Sequence, residues 1–368
     1  FDQTVTVDTL GGTPTLLLET GSTDRAATYV SGSGSNTLTF SYTVQAGDLT
    51  ADLNYQSSSA LSLNGATIKS AASDDAVLTL PATGSADSIA SQHALVIDGV
   101  SPTANIVVAD TALAAGETST VTITFSEAVV GVDLADFTVA NGTLSNLATS
   151  DNVIYTATLT PAADTQDTSN LITLDNSGYL DTAGNTGAAP VNSNNFAIDT
   201  LRPTASITVA DAALAAGETS TVTITFNEAV SGLTTANFSV ENGALSNLTS
   251  GDGGVTWTAT LTPAADVEDT SNLVTLDNTG VVDAAGNAGV GTTDSNNYAV
   301  DTLRPTASIV VADTALAAGE TSTVTITFNE GVSGLTTADF SVENGALSNL
   351  TSGDGGVTWT ATLTPAAD

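Results

Sequence analysis

The 368-residue chain has no cysteine, no methionine, one histidine and four basic residues. Each shortage removes a class of chemistry. Without cysteine there are no disulfides, zinc thiolates or thiol nucleophiles. The single histidine, His93, rules out a histidine-rich metal site, and any Ser-His-Asp triad would have to be built on it. Four Lys/Arg against 40 Asp/Glu leave a formal net charge of −36. No basic footprint exists to displace counterions from nucleic-acid phosphates, and electrostatic docking to anionic lipid is disfavoured for the same reason. No apolar run approaches the roughly 18 residues of a membrane span. No signal peptide is visible, and the chain does not start with Met. It reads as an internal piece of a longer secreted or processed chain.

Hydrophobic residues make up 41% of the chain and mean hydropathy is +0.19. That is core material, unlike a disordered acidic tail. Internal repeats organise it. Arg202–Asp266 aligns without gaps to Arg304–Asp368, with four differences in 65 positions: Thr208/Val310, Ala212/Thr314, Ala229/Gly331 and Asn237/Asp339. A diverged copy begins at Ser101. Pro102, Pro203 and Pro305 mark a period near 100 residues, about one β-sandwich domain. Four units follow: 1–99, of a divergent type; 100–201; 202–303; and 304–368, an incomplete copy from which the parent chain is expected to continue.

The units are built of strands. Val222, Ile224 and Phe226 alternate with threonines, and Val255, Trp257, Ala259 and Leu261 do the same. Period 2 with β-branched residues marks half-buried strands, and the threonine rows are read as β-propensity on a solvated face. Turn signals such as Asn242-Gly243 and Asp252-Gly253 punctuate them. For 202–303 the reading is seven strands: A 204–210, B 219–227, C 237–248, D 255–262, E 272–277, F 280–283 and G 296–301. The fold class is all-β, with tandem immunoglobulin-like sandwiches end to end. Trp257 and Trp359 are read as core aromatics.

If each strand reverses direction, the A–B, C–D and E–F loops lie at a unit's outgoing end. The B–C, D–E and F–G loops then lie at its incoming end. At the junction near 200 this gathers Asp110 and Glu117 from the preceding unit and Asp199 from the linker. Glu228, Asp266, Glu268 or Asp269, and Asp283 with Asn287 come from the following unit. The next junction offers Asp211, Glu218, Asp301, Glu330, Asp339 and Asp368. The earlier one offers Asp98, Glu127, Asp133, Asp136, Asp164 and Asp181. Carboxylates so gathered repel one another without cations. Hard oxygen donors in loops suit Ca²⁺, which takes about 6–8 oxygens, better than Mg²⁺, which holds its waters. The competing reading is solvated loop acids that aid solubility. Ser-Gly-Asp-Gly-Gly at 250 and 352 lacks the rest of a calcium loop and is read as a β-turn. Arg202 and Arg304, each after a linker Asp, suggest either a local salt bridge or a tie to acidic loops across the junction.

AlaGlyGluThrSerThrValThrIleThrPheAsnGluAlaVal, the later AspAlaAlaGlyAsn and the linker ValAspThrLeuArgPro resemble bacterial Ig-like repeats. Such repeats form the extender regions of giant type I-secreted, RTX-type and biofilm-associated adhesins of Gram-negative bacteria. The first unit, with ThrTyrValSerGlySerGlySerAsnThrLeuThrPhe, resembles a companion repeat of the same proteins. The resemblance covers essentially the whole chain. It implies a stalk at the cell surface, stiffened by calcium at its junctions, with roles in attachment and biofilm formation. It matches Asp199, Asp301, Asp181, Asp283 and the Glu of the PheAsnGlu and PheSerGlu motifs (Glu127, Glu228, Glu330) to calcium-rich junctions. The first unit departs from the pattern, with Ser70-Ala-Ala-Ser-Asp74 in place of AspAlaAlaGlyAsn. Asp74 and Asp75 are the acids there that would substitute.

The leading expectation is therefore a non-enzymatic, calcium-rigidified extender whose partners are its neighbouring domains. The alternative is a subunit that self-associates into an extracellular filament or surface layer. A carboxylate-pair glycosidase or carbohydrate-binding module fits less well. The acids recur once per unit, and aromatics are only 5% of residues.

Overall fold

A computed structural model describes residues 1–367. It divides into two compact units, Phe1–Leu201 and Arg202 onward; Asp368 lies outside the described residues. Among these residues no helix is long and apolar enough to cross a membrane.

In the first unit, residues 1–99 form small sheets. Thr39–Ser41, Arg25–Ser31, Thr15–Glu19 and Asn54–Tyr55 are adjacent in one, and Val5–Asp8 pairs with Thr67–Ser70 in another. The core under the larger sheet is thin, centred on Leu18, Ala27 and Leu53. Arg25 and Asp48 supply a polar substitute: Nε donates to Oδ1 at 2.9 Å, with the Asp48 side chain 1% exposed. The linker pairs back onto this domain, Ile97–Asp98 running antiparallel to Leu49–Thr50.

Residues 104–199 form a sandwich. One sheet orders Ala104–Val108, Ser119–Phe125, Ile154–Pro161 and Gly142–Thr149. It faces two three-stranded groups: Ala112–Ala114 with Phe196–Asp199 and Gln166–Asn170, and Phe137–Val139 with Ile172–Leu174 and Val191–Asn192. The period-2 pattern explains the layering. In Ser119–Phe125 the odd positions Ser119, Val121, Ile123 and Phe125 are all buried, while the threonines point outward. Val121, Ile123, Leu159, Ile172, Leu174, Phe196 and Ile198 fill the core. Each such side chain contributes about 1.5–3 kcal/mol by leaving water.

The second unit repeats the plan over 205–301. Val222, Ile224, Leu261, Val274, Leu276 and Tyr298 are at most 0% exposed within its core. Trp257 packs against that core and its Nε1 donates to the Gly254 carbonyl at 3.0 Å. Residues 304–367 supply a single four-stranded sheet: Ala307–Val311, Ser322–Phe328, Thr358–Pro365 and Gly345–Ser352. Ile309 is consequently 57% exposed, where its counterpart Ile207 is 6%.

The strand count departs from the expected seven in a way that matters. The stretch expected as strand C is two strands in different groups, Phe238–Val240 and Gly243–Ser250, parted at Asn242-Gly243. Asn242 takes φ +48°, the left-handed conformation that asparagine tolerates in a tight turn. The added strand reverses the parity of the D–E loop that follows it. Thr256–Pro263 therefore runs toward the outgoing end, beside the start of Ser220–Phe226. The pairing is not wholly antiparallel either. Ala112–Ala114 runs parallel to Phe196–Asp199, and Ala213–Ala215 parallel to Tyr298–Asp301.

Candidate metal centre at the Asp98 linker

Three segments converge on one acidic site in the first unit. Asp98 ends the linker strand Ile97–Asp98, Glu127 follows Ser119–Phe125, and Asp181 ends Leu180–Asp181. One carboxylate oxygen from each lies within 4.8 Å of the others. Asp181 is 2% exposed and the other two are half-buried.

The loop after Asp181 is built around its carboxylate. Oδ1 accepts from the backbone N–H of Ala183 at 2.8 Å and of Asn185 at 2.9 Å, and Oδ2 accepts from Asn185 Nδ2 at 2.8 Å. Gly184, at φ +97°, closes the turn. Asn185 Nδ2 also donates to the Asp98 carbonyl at 3.1 Å. Asp98 Oδ1 accepts from Val100 N at 3.0 Å.

Glu127 and Asp181 are shifted in opposite directions. Burial, then Asp98, then Asp181 push Glu127 above the ordinary carboxylate range. Burial also pushes Asp181 upward, but the bonds from Asn185, Ala183 and Gly184 outweigh it and hold Asp181 below that range. The site thus sets a carboxyl whose ionised form is favoured beside one whose ionised form is disfavoured. A multivalent cation would relieve that conflict. The donor set is entirely hard oxygen, which fits Ca²⁺ chemistry.

The other expected residues fall into three groups. The first folds back on local backbone. Asp110 accepts from Ala112 N at 3.1 Å and Glu117 from Ala114 N at 2.9 Å; Asp211 and Glu218 repeat this at 3.1 and 2.9 Å. Asp136 caps a short 3₁₀ turn by accepting from Asp133 N at 2.8 Å, and Asp339 does so from Thr336 N at 2.8 Å. Asn237 occupies the same place in the intervening repeat, so a neutral side chain serves there equally.

The second group is moved by the added strand. Asp164 and Asp266, expected at the incoming ends, sit after Ile154–Pro161 and Thr256–Pro263 at the outgoing ends. There they take positive φ, +51° and +58°. Glu268 likewise stands opposite Asp301 of its own repeat, away from the incoming end.

The third group belongs to the recurrent motif. Asp199 Oδ2 accepts from Gln166 Nε2 at 3.0 Å. Glu228 Oε1 accepts from Asn227 Nδ2 at 3.4 Å. Asp283, 5% exposed, is wrapped by Asn287 as Asp181 is by Asn185, at 2.8 and 2.7 Å. Asp301 ends Tyr298–Asp301. Glu330 keeps Oε1 buried without a hydrogen-bond partner among the described residues.

In the first domain Asp75 is taken by Lys69, at 2.5 Å, and Asp74 serves a turn through its carbonyl. Arg202 Nη1 donates to the Ala288 carbonyl at 2.7 Å, a backbone tie within its own repeat. Asp252 closes a turn, accepting from Thr256 N at 2.9 Å and Ser250 Oγ at 2.9 Å, as the β-turn reading expects. The sequence pattern does not single out Asn185, Gln166 or Thr200 as site residues. Of these, only Asn185 had a visible signal, as the last residue of an Asp-Thr-Ala-Gly-Asn copy of the motif.

The family model of the bacterial Ig-like domain matches residues 98–198, 199–300 and 301–368. The chain belongs to this family. No curated protein matches it. Among solved structures it is similar to the Escherichia coli adhesin FdeC, at 16% identity over 72% of this chain and 88% of that one (TM-score 0.29). It is also similar to the Yersinia pseudotuberculosis adhesin InvE, at 17% identity over 53% and 58% (TM-score 0.25). A third is a Bacteroides ovatus protein, SGBP-B, in complex with a mixed-linkage heptasaccharide, at 13% identity over 84% and 61% (TM-score 0.17). The bacterial Ig-like repeats thus begin at the Asp98 linker.

Proposed function

We propose that this chain is a calcium-stiffened extender of a bacterial surface adhesin, holding a distal binding domain away from the cell. The reading places it outside a Gram-negative cell after type I secretion, with a role in attachment and biofilm formation. Its function is mechanical rather than enzymatic. The observation that carries the calcium part is the meeting of Asp98, Glu127 and Asp181 from three separate segments, one of them the linker. Membership of the bacterial Ig-like family and tandem repetition support the extender part.

Asp98, Glu127 and Asp181 would hold the ion. By repeat correspondence the sequence supplies Asp199, Glu228 and Asp283 for a second, and Asp301 with Glu330 for part of a third. A bound Ca²⁺ supplies positive charge to the paired acids and fixes the linker against the loops of the following repeat. Linkage then requires stability to rise with free Ca²⁺. Thermal melts of the chain with Ca²⁺ and with EGTA test this. A higher Tm in Ca²⁺, lost in Asp181→Asn, supports the reading; superimposable melts refute it.

A further inference from the structure

Two of the three linkers carry a threonine directly after the recurrent aspartate, Thr200 and Thr302. Both are almost wholly buried, at 4% and 5% exposure. Each hydroxyl inserts into the turn after the long strand of the repeat that precedes the linker. Thr200 Oγ1 donates to the Ala162 carbonyl at 2.7 Å and accepts from Thr165 N at 3.0 Å, while Thr200 N donates to the Thr165 carbonyl at 2.8 Å. Thr302 repeats the set with the Ala264 carbonyl at 2.7 Å, Val267 N at 3.0 Å and the Val267 carbonyl at 2.7 Å. These turns contain Asp164 and Asp266, whose positive φ bends the chain around the threonine.

We infer that Thr200 and Thr302 are positioning residues that clamp each linker to the repeat before it, with no cation involved. The clamp uses both hydroxyl functions and the backbone. A buried hydroxyl so satisfied is costly to remove without replacement. The first linker has Gly99 at this place and reaches the same end differently. Gly99 N donates to the Asp48 carbonyl at 2.7 Å, Gly47 N donates to the Gly99 carbonyl at 2.9 Å, and a Cβ at Gly99 would lie 2.3 Å from the Gln45 carbonyl. Three linkers, by two routes, are bonded to the preceding domain. Asp199 and Asp301, one residue earlier, are therefore held in place before any ion arrives. Cation removal frees at most the side of the junction beyond the threonine.

Hydrogen–deuterium exchange on the whole chain in EGTA tests the clamp separately from the calcium reading. The amides of Thr200 and Thr302 are expected to exchange far more slowly than those of an unstructured peptide. Thr200→Val, which keeps shape and loses the hydroxyl, should speed Thr200 exchange about tenfold or more. Thr200→Ser should restore protection, and strand Ser119–Phe125 should be unchanged in both. Wild-type linker amides exchanging at the unstructured rate in EGTA would overturn the proposal, as would valine and wild type behaving alike. Slow linker exchange in a chain whose melts ignore Ca²⁺ would uphold the clamp and discard the calcium.

Discussion

The side-chain amide of Asn185 donates to the backbone carbonyl of Asp98 at 3.1 Å, across 87 residues of chain. This bond joins the linker to the loop that wraps Asp181, and it needs no ion. Replacing Asn185 with Ala strands the Asp98 carbonyl and one bond of Asp181. A loss of about 1–3 kcal/mol is expected, measured by urea unfolding of the transition that includes residues 104–199. Asn185→Asp should be worse in EGTA than in Ca²⁺, because it adds a fourth carboxylate.

Glu127→Gln should change sign with the solvent. In EGTA near neutral pH it removes the charge that burial, Asp98 and Asp181 resist, so the variant should be the more stable. In Ca²⁺ it removes a ligand, and affinity should drop about tenfold or more. The pH dependence follows the same logic. A raised carboxyl pKa means that the folded state binds the proton more tightly, so in EGTA this contribution favours folding at low pH. It is lost as pH rises from the ordinary glutamate value through the raised one. Asp181, held low, contributes the opposite way: its stabilisation is present above the ordinary value and lost as pH falls. Paired melts from pH 4 to about 7 for wild type and Glu127→Gln would expose the difference. Identical profiles would contradict the assigned coupling.

Glu268 stands opposite Asp301 where Gln166 stands opposite Asp199. Like charges facing each other across strands destabilise. Glu268→Gln copies the sister repeat and should stabilise by about 0.2–1 kcal/mol at low salt, a gain that shrinks as ionic strength rises. Calorimetry at two salt concentrations measures it.

The exposed face of residues 304–367 gives a paired prediction. Ile207→Ala should cost about 2–5 kcal/mol, as for a filled core. Ile309→Ala, at 57% exposure, should cost under about 1 kcal/mol. Equal costs would mean that the Ile309 side chain is covered in solution.

Asp252 offers a control outside the candidate sites. Bonds from Thr256 N–H and the Thr256 side chain hold its carboxyl down at about 2. Its contribution is complete above the ordinary aspartate pKa and is lost as pH falls toward 2. Asp252→Asn should alter acid stability and leave the response to Ca²⁺ unchanged, as melts at both extremes would show.

Much of this was readable from residue order. The alternation of Ser220–Phe226 gave its buried face position by position, because burial on a pleated strand follows period 2 and little else. Asp98, Glu127 and Asp181 were marked by sitting in linker, B–C and F–G loops, whose parity is insensitive to the miscounted strand pair. Asp164 and Asp266 are displaced from their expected ends for one local reason: Asn242-Gly243, a turn signal, lies inside the stretch expected as the single strand C, and it ends a strand there. Asn185 and Thr200 act through hydrogen bonds to backbone carbonyls. Nothing in the side-chain pattern announces a carbonyl as a partner.

The parallel pairing of Ala112–Ala114 with Phe196–Asp199 bears on what the repeats do under load. The first strand lies near the start of its repeat and the second leads out of it, so tension applied through the two ends pulls the pair along its length. Its hydrogen bonds are then strained together rather than opened one after another. Ala213–Ala215 with Tyr298–Asp301 repeats this arrangement, so in a stalk under tension resistance to stretching is expected where each exit strand is anchored.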